Sequence, residues 1–281
     1  MPQGETPSHH GSTGLALTSR EWLTSHFLAK ANMRSKHVSA LPIYPGDQVL
    51  DVACGPGIYT EKFAELCSPG GHVTGIDKDP VLLDYAEALC KRSIYQDAIS
   101  FEKIDITCDQ PQGASFDIIL FFNCLSYLNN AFNIVENYKS LLNPGGRIII
   151  KDSDFGHFII EPSSHLNTQT IIDRAKKANS LQHGRFDNFY GRRIYSLTEG
   201  LGLGKTRPIV WSYPMKGPLS RYEIEYISGN MLYLADQAEK HVADEITQAW
   251  RDAFDIKTNS FPYRDDIFFL IHEILIVAEN T

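Results

Sequence analysis

Residues 49–60 read Val-Leu-Asp-Val-Ala-Cys-Gly-Pro-Gly-Ile-Tyr-Thr, or VLDVACGPGIYT. An apolar run ends in a carboxylate, two near-adjacent glycines follow, and an amphipathic pattern then resumes. Glycine accepts backbone conformations that other residues resist, so a turn at Gly55 and Gly57 lets main chain approach something closely. The helix start beyond it offers N–H groups with no partner of their own. What sits at that turn is the question for the rest of the chain.

Outward from the turn, strand-like and helix-like segments alternate. Strand patterns fall at 48–53, 72–76, 100–104, 116–122 and 146–152. Helical spacing appears between them, with Tyr59, Phe63, Leu66 and Cys67 on one face of 58–67. Leu82, Ala86 and Leu89 share a face of 81–92, as do Ile134, Tyr138, Leu141 and Leu142 of 129–142. Strands alternating with helices mean βαβ units and a mainly parallel sheet. The continuous apolar runs DIILFF and RIIIK suit strands covered on both faces. The C-terminal third departs from this rhythm, with a helix near 187–200, a strand at 206–213, two helices within 219–254 and a last strand at 269–280. The expected fold is therefore α/β, with seven strands in a mainly parallel sheet. Helices cover both faces and an added helical lid completes it. Residues 1–14, rich in Gly, Pro and Ser, read as a disordered tail in which His9 and His10 are tail residues; 15–44 read as an N-terminal helical cap, and 45–281 as the main domain with its insertion at 219–254.

Composition narrows the partners. The net charge is −8 over 281 residues and no Lys/Arg run exceeds two, which argues against a general nucleic-acid-binding surface. No apolar run approaches the roughly 20 residues of a membrane span, and no hydrophobic signal region opens the chain. Cys54, Cys67, Cys90, Cys108 and Cys124 are odd in number, lack CxxC spacing and mostly lie in apolar patterns. They read as reduced thiols of a cytoplasmic protein, with neither a disulfide framework nor a cysteine metal site.

Two cofactors compete for the turn. Dinucleotide folds use G-x-G-x-x-G, whose third glycine allows close helix–strand packing about a pyrophosphate. Gly55 and Gly57 supply the first two, but Thr60 stands third. Asp51-Val-Ala-Cys-Gly55-Pro-Gly57 resembles instead motif I of class I S-adenosylmethionine (SAM)-dependent methyltransferases, usually Asp/Glu-x-Gly-x-Gly-x-Gly, with Ala53 in place of the first glycine. Downstream, GIDKDP, KIDIT, FDIILFFNCLSYL and LLNPGGRIIIKD fall in that family's order, and the likeness covers roughly residues 45–155. In motif I the resemblance extends to the ubiquinone/menaquinone-type C-methyltransferase branch, and in the added helices to natural-product methyltransferases; neither likeness fixes the acceptor.

The resemblance implies a Rossmann-like, seven-stranded mixed sheet, mostly parallel with the last strand antiparallel, and SAM as cofactor with S-adenosylhomocysteine as product. Asp51, Ala53, Cys54, Gly55 and Gly57 would surround the amino-acid moiety. Asp77, with Lys78 beside it, would accept hydrogen bonds from the ribose hydroxyls. Asp105 and the N–H of Ile106 would serve the adenine, Leu128 would pack on it, and Asn123 would lie near the methionine end. Arg34 or Lys30 would pair with the methionine carboxylate. Each has a plainer use: Asp51 organising loop backbone, Asp105 capping a turn, Arg34 on a solvated face.

Methyl transfer from a sulfonium needs alignment and exclusion of water, and a base only where the acceptor must lose a proton. Asp152, Asp154 and His157, just past the fifth strand, are the candidate acid–base residues, and a solvated loop is the competing account. The Asp-Ser-Asp run has no companion ligands, so no metal is expected. Tyr127, Tyr190, Tyr222 and Tyr226 are candidate pocket residues, since aromatics attract a sulfonium. A lid from 219–254 and the N-terminal helix would enclose a mostly apolar small molecule; a homodimer interface would use the same aromatics. The expected activity is methyl transfer to O, N or C of a small-molecule acceptor. A SAM-binding protein without methyl transfer and an NAD(P)-dependent oxidoreductase are the alternatives.

Overall fold

The computed structural model describes residues 18–162, 166–181, 186–257 and 261–280; the expected tail at 1–14 lies outside them. Strand β1 (Gln48–Val52) occupies the middle of the sheet, between β2 (His72–Asp77) and β4 (Phe116–Phe122), parallel to both. Beyond β2 lies β3 (Ile99–Lys103), and beyond β4 lies β5 (Leu142–Ser153), again parallel. The chain thus leaves β1 in one direction and returns to its other side, which opens a crevice at the carboxyl ends of β1 and β4. Between the strands run α3 (Ile58–Cys67), α4 (Pro80–Cys90) and α5 (Ala131–Lys139). Helix α4 starts where the Asp79 side chain accepts the Val81 N–H at 3.0 Å and Pro80 fixes the first turn.

The final strand, β8 (Phe268–Glu279), runs antiparallel to β5, as the family resemblance implies. Its other neighbours are β7 (Thr206–Lys216) and a three-residue strand, β6 (Ile159–Glu161), both antiparallel to it. All strands except β8 therefore share one direction. Strand β7 pairs with β8 over its whole length, so β5 and β6 share the opposite edge of β8. The short β6 is an eighth strand that the pattern does not signal, three residues being too few for alternation to register.

Both faces of the sheet are covered, which is why β1 and β4 are apolar without alternation. Val49, Ile118, Leu120 and Ile149 face one core with Phe63 and Trp211, while Leu50, Val52, Ile119 and Ile148 face another with Val135 and Ile194. On the second side lies α7 (Ile194–Gly200), preceded by a 3-10 turn at Tyr190–Arg193, where the sequence suggested one helix from 187.

The helical layer that overhangs the crevice is assembled from distant parts of the chain. The N-terminal helix is broken into α1 (Arg20–Leu28) and α2 (Ala31–Val38) at the point where Lys30 turns into the core. Helix α8 (Arg221–Ala238) begins at a reciprocal cap, Ser220 Oγ accepting the Glu223 N–H and the Glu223 carboxylate accepting the Ser220 N–H. Helix α9 (Asp244–Phe254) packs on α8, and the Trp250 indole N–H donates to Met231 O at 2.7 Å. Helix α6 (Thr168–Leu181) also packs on α8. It is absent from the sequence reading, although Ile171, Ile172, Ala175 and Ala178 recur at helical spacing. Helix α1 lies against α8 at Gly229, where a Cβ would overlap the Trp22 ring. Among the described residues, no helix is long and apolar enough to cross a membrane.

Candidate functional site

The turn after β1 is left-handed at three positions: Ala53 (φ 55°), Gly55 (φ 55°) and Gly57 (φ 71°). Its backbone is held from both sides, with Cys54 N–H donating to Ile76 O and Gly55 N–H donating to the Asp77 carboxylate, each at 2.9 Å. Asp77 also accepts the Asp79 N–H at 2.9 Å, so one carboxylate ties the β1 and β2 loops together. Burial pushes Asp77 above the usual carboxylate range, while these N–H groups oppose the shift. Gly57 has a separate reason to be glycine: a Cβ there would stand 2.7 Å from the Ala86 Cβ of α4. It serves the approach of two helices. Asp51 is fully enclosed, accepts the Thr60 hydroxyl at 2.6 Å, and is raised by burial to about 7. The third motif position is thus used to bind Asp51, a polar role that a glycine would not provide.

A cavity of about 220 Å³ opens over this turn. Of the residues expected at the cofactor, Ala53, Cys54, Gly55, Asp77, Lys78, Asp105, Ile106, Asn123, Leu128 and Arg34 line it. Asp51 and Gly57 stand behind the lining. Asp105 caps its own loop and faces the cavity at once, accepting the Thr107 N–H and hydroxyl at 3.0 and 2.7 Å. Those bonds, the hydroxyl above all, hold Asp105 below the usual carboxylate range. Asn123, left-handed at φ 54°, accepts the Lys151 ammonium at 2.8 Å.

Arg34 is buried and makes no ion pair among the described residues. Its guanidinium lies over the Phe27 and Tyr59 rings, 4.4 and 5.1 Å from their centroids, and donates to Phe27 O and His26 O. The Arg34 Nε has no partner among the described residues. Behind it lies a buried ion network in which Glu273 of β8 joins Lys30 at 2.6 Å and Lys151 at 2.8 Å, with the Tyr213 hydroxyl donating at 3.0 Å. Burial pulls Lys30 down to about 7 against the attraction of Glu273. Burial would raise Glu273, but Lys151, Lys30 and Arg34 outweigh it and leave it well below the usual range. His26, between Lys30 and the cavity, is pulled down by burial and by the Lys30 and Arg34 charges.

The three residues past β5 separate. Asp152 lines the cavity, accepting the Ser153 N–H at 2.9 Å and the Ser126 N–H at 3.2 Å; burial raises it to about 7. Asp154 faces away and is committed to Arg192, which donates from Nε at 2.7 Å and from a terminal nitrogen at 2.6 Å. His157 is exposed and outside the lining. Among the candidate tyrosines, Tyr127 lines the cavity and stacks on Phe186, 4.7 Å between centroids. Tyr190 is buried beside the second core, and Tyr226 lies under Trp22, His26 and Phe155. Tyr222, 39% exposed, borders a shallow outer groove with Arg20 and Tyr85. No metal-binding cluster of His, Cys, Asp or Glu occurs among the described residues.

Of the opposite wall the sequence suggested the elements, the N-terminal helix and 219–254, and Phe186 as a possible pocket residue, but not the other individual side chains. This wall consists of Trp22, Leu23, His26 and Phe27 of α1, Tyr59, Phe155, Phe186, and Asn230 of α8. The recurrence of Trp22, His26 and Phe27 on one face of the first helix was the available signal; the contacts across the fold had none.

A family model described as a methyltransferase domain matches residues 43–197. The demethylmenaquinone methyltransferase of Tropheryma whipplei is 30% identical over 155 residues, covering 55% of this chain and 62% of that protein. The ubiquinone biosynthesis O-methyltransferase of Xanthomonas campestris is 33% identical over 119 residues, covering 42% of this chain and 48% of that protein. The chain therefore spans about half to three-fifths of the curated relatives it matches. Among solved structures, the YcgJ protein of Bacillus subtilis superposes with TM-score 0.55 at 15% identity, covering 89% of this chain and 98% of the other. A methyltransferase-like protein of Bacillus halodurans gives 0.51 at 17% identity, covering 88% and 98%. These likenesses establish the fold.

Proposed function

We propose, on the premise that this chain belongs to the methyltransferase-domain family, that it transfers a methyl group from SAM to a small-molecule acceptor and releases S-adenosylhomocysteine. One observation carries the reading. A buried carboxylate at the end of β2, Asp77, lines the same cavity as Asp105 and as a guanidinium, Arg34, that has no anionic partner.

The donor set fits the cofactor. Asp77 is an acceptor for two ribose hydroxyls, its position fixed by Gly55 and Asp79. Asp105 with Ile106 suits an adenine edge, and Leu128 an adenine face. Arg34, with a free Nε, suits a carboxylate. When bound, SAM supplies an electrophilic methyl on a sulfonium. The residues themselves orient and enclose: the left-handed turn at Ala53–Gly57 lets backbone come close, and the α1–α8 wall keeps water from the reacting atoms.

We further propose that α1 and α8 form the lid of the acceptor site, in preference to a homodimer interface. Tyr226, Met231 and Trp250, which a second copy would have needed, are buried within the chain. The five free thiols and the net charge of −8 support a cytoplasmic protein without a nucleic-acid partner. Incubating the protein with SAM and a panel of hydroxylated, amino and quinone-type metabolites tests the activity. Formation of S-adenosylhomocysteine that depends on one acceptor class is expected; none with any acceptor, from protein that binds the product, contradicts transfer.

A further inference from the structure

Asp152 is the acidic side chain of the cavity that the cofactor reading leaves without a role. It is 2% exposed, yet it lines the cavity and makes no ion pair among the described residues. Its neighbour on β5, Lys151, turns to the other face of the sheet and is taken by Glu273 and Asn123. Two backbone N–H groups, from Ser126 and Ser153, fix the carboxylate in place. The titratable groups around it are Lys151, whose charge through the sheet opposes the effect of burial on Asp152, and Cys124, Tyr127 and Tyr190, each held protonated by burial and by the Asp152 charge itself. A carboxylate in such a place costs stability unless something uses it. The cavity that Asp152 lines is rich in aromatic side chains, Trp22, Tyr127, Phe155 and Phe186 among them, and its side-chain amides among the described residues are Asn123 and Asn230.

We propose that Asp152 is the proton acceptor of the reaction and that the acceptor is a hydroxyarene, methylated on oxygen. This rests on the methyl-transfer reading above. As the arene oxygen forms its bond to the methyl carbon, the O–H bond breaks and the proton passes to Asp152. The C–S pair stays on sulfur, leaving a neutral thioether, so charge and atoms balance. The carboxylate also disfavours the amine alternative: it would hold an ammonium protonated, with no lone pair to attack. A flat ring fits among the four aromatic side chains. Burial places Asp152 at about 7, where a base both exists at neutral pH and retains affinity for a proton.

The test needs no knowledge of the natural acceptor. 2-Naphthol becomes strongly acidic when excited; in bulk water the solvent takes the proton, but in a site closed to water it emits as its anion only if a base stands within hydrogen-bonding reach, so the emission of unbound 2-naphthol is subtracted. The wild-type protein and Asp152→Asn are first saturated with S-adenosylhomocysteine, whose affinity is measured by calorimetry, and 2-naphthol is then added at pH 8. The wild-type complex is expected to show anion emission and to bind 2-naphthol about tenfold more tightly than 2-methoxynaphthalene. In Asp152→Asn the anion band disappears and the tenfold preference is lost, with product affinity within about threefold of wild type. Asp152→Glu, which keeps a base, retains anion emission, and Asp152→Ala replaces the Asn variant should that one fail to fold. Neutral emission from the wild-type complex, an undiminished anion band in Asp152→Asn, or no binding of 2-naphthol overturns the proposal. Absence of S-adenosylhomocysteine binding by the folded wild type overturns instead the methyl-transfer reading on which it rests.

Discussion

The two walls of the cavity are made by different means. The cofactor wall comes from four successive loops after β1, β2, β3 and β4, each fixed by local backbone: a left-handed turn, the Asp77 bridge, the Asp105 cap and left-handed Asn123. The proposed acceptor wall draws Trp22 from α1, Asp152 from β5 and Asn230 from α8, and only tertiary packing brings them to one cavity. Its anchor is the buried network of Lys30, Glu273 and Lys151, which fastens the α1–α2 break to the sheet. A wall set by short-range rules tolerates little variation, whereas one set by packing can be refitted to another acceptor without disturbing the first. That division suits a family in which the donor is constant and the acceptor varies.

The comparison breaks first at Glu273. Replacing it with Ala strands two buried ammonium groups and should cost about 3–5 kcal/mol in urea unfolding. A loss below about 1 kcal/mol would mean that the ions do not anchor the acceptor wall. On the cofactor side, Gly57→Ala forces a side chain into left-handed backbone and against Ala86, for an expected loss of about 1–3 kcal/mol. Product binding should weaken only as far as the fold does.

A pH series sharpens the account of Asp152. Its folded value of about 7 lies above the unfolded 3.8, so its stabilising effect is complete below about pH 4 and is lost as pH rises through 7. Asp152→Asn should therefore melt a few degrees higher than wild type at pH 8, with the gain vanishing toward pH 4. A constant difference across that range would mean that the carboxylate is not strained by burial. The smallest effect is expected at Asp105→Ala, where one exposed hydrogen bond to the ligand is worth about a three- to tenfold change in product affinity.

The same division governs how far sequence reading reached. The strands from β1 to β5, the presence of β8, the glycine turn and the acids at the strand ends are legible because period, turn chemistry and motif spacing are local properties, whereas the reversed direction of β8 came with the family resemblance. Asp154 illustrates the limit: two residues past Asp152 it looks equivalent, yet it lies beyond the end of β5, where it caps the following 3-10 turn and is held out of the cavity by the distant Arg192. Tyr226 has the aromatic character of a pocket residue but is roofed by Trp22 and His26, which pack on it from the other end of the chain. The pairing of Arg34 with two carbonyls and no acid could not be inferred from spacing. Gly57 carries a motif glycine's signature for a helix–helix contact, so the motif marks the turn without distinguishing ligand contact from packing.

The direct test is calorimetric titration of S-adenosylhomocysteine into the wild-type protein and Asp77→Ala. Two charge-assisted hydrogen bonds worth about 1.5 kcal/mol each predict binding by the wild type and a loss of about 100-fold in the variant. No heat from folded wild-type protein, or equal affinity in the two, would contradict the assignment of this cavity to the nucleoside.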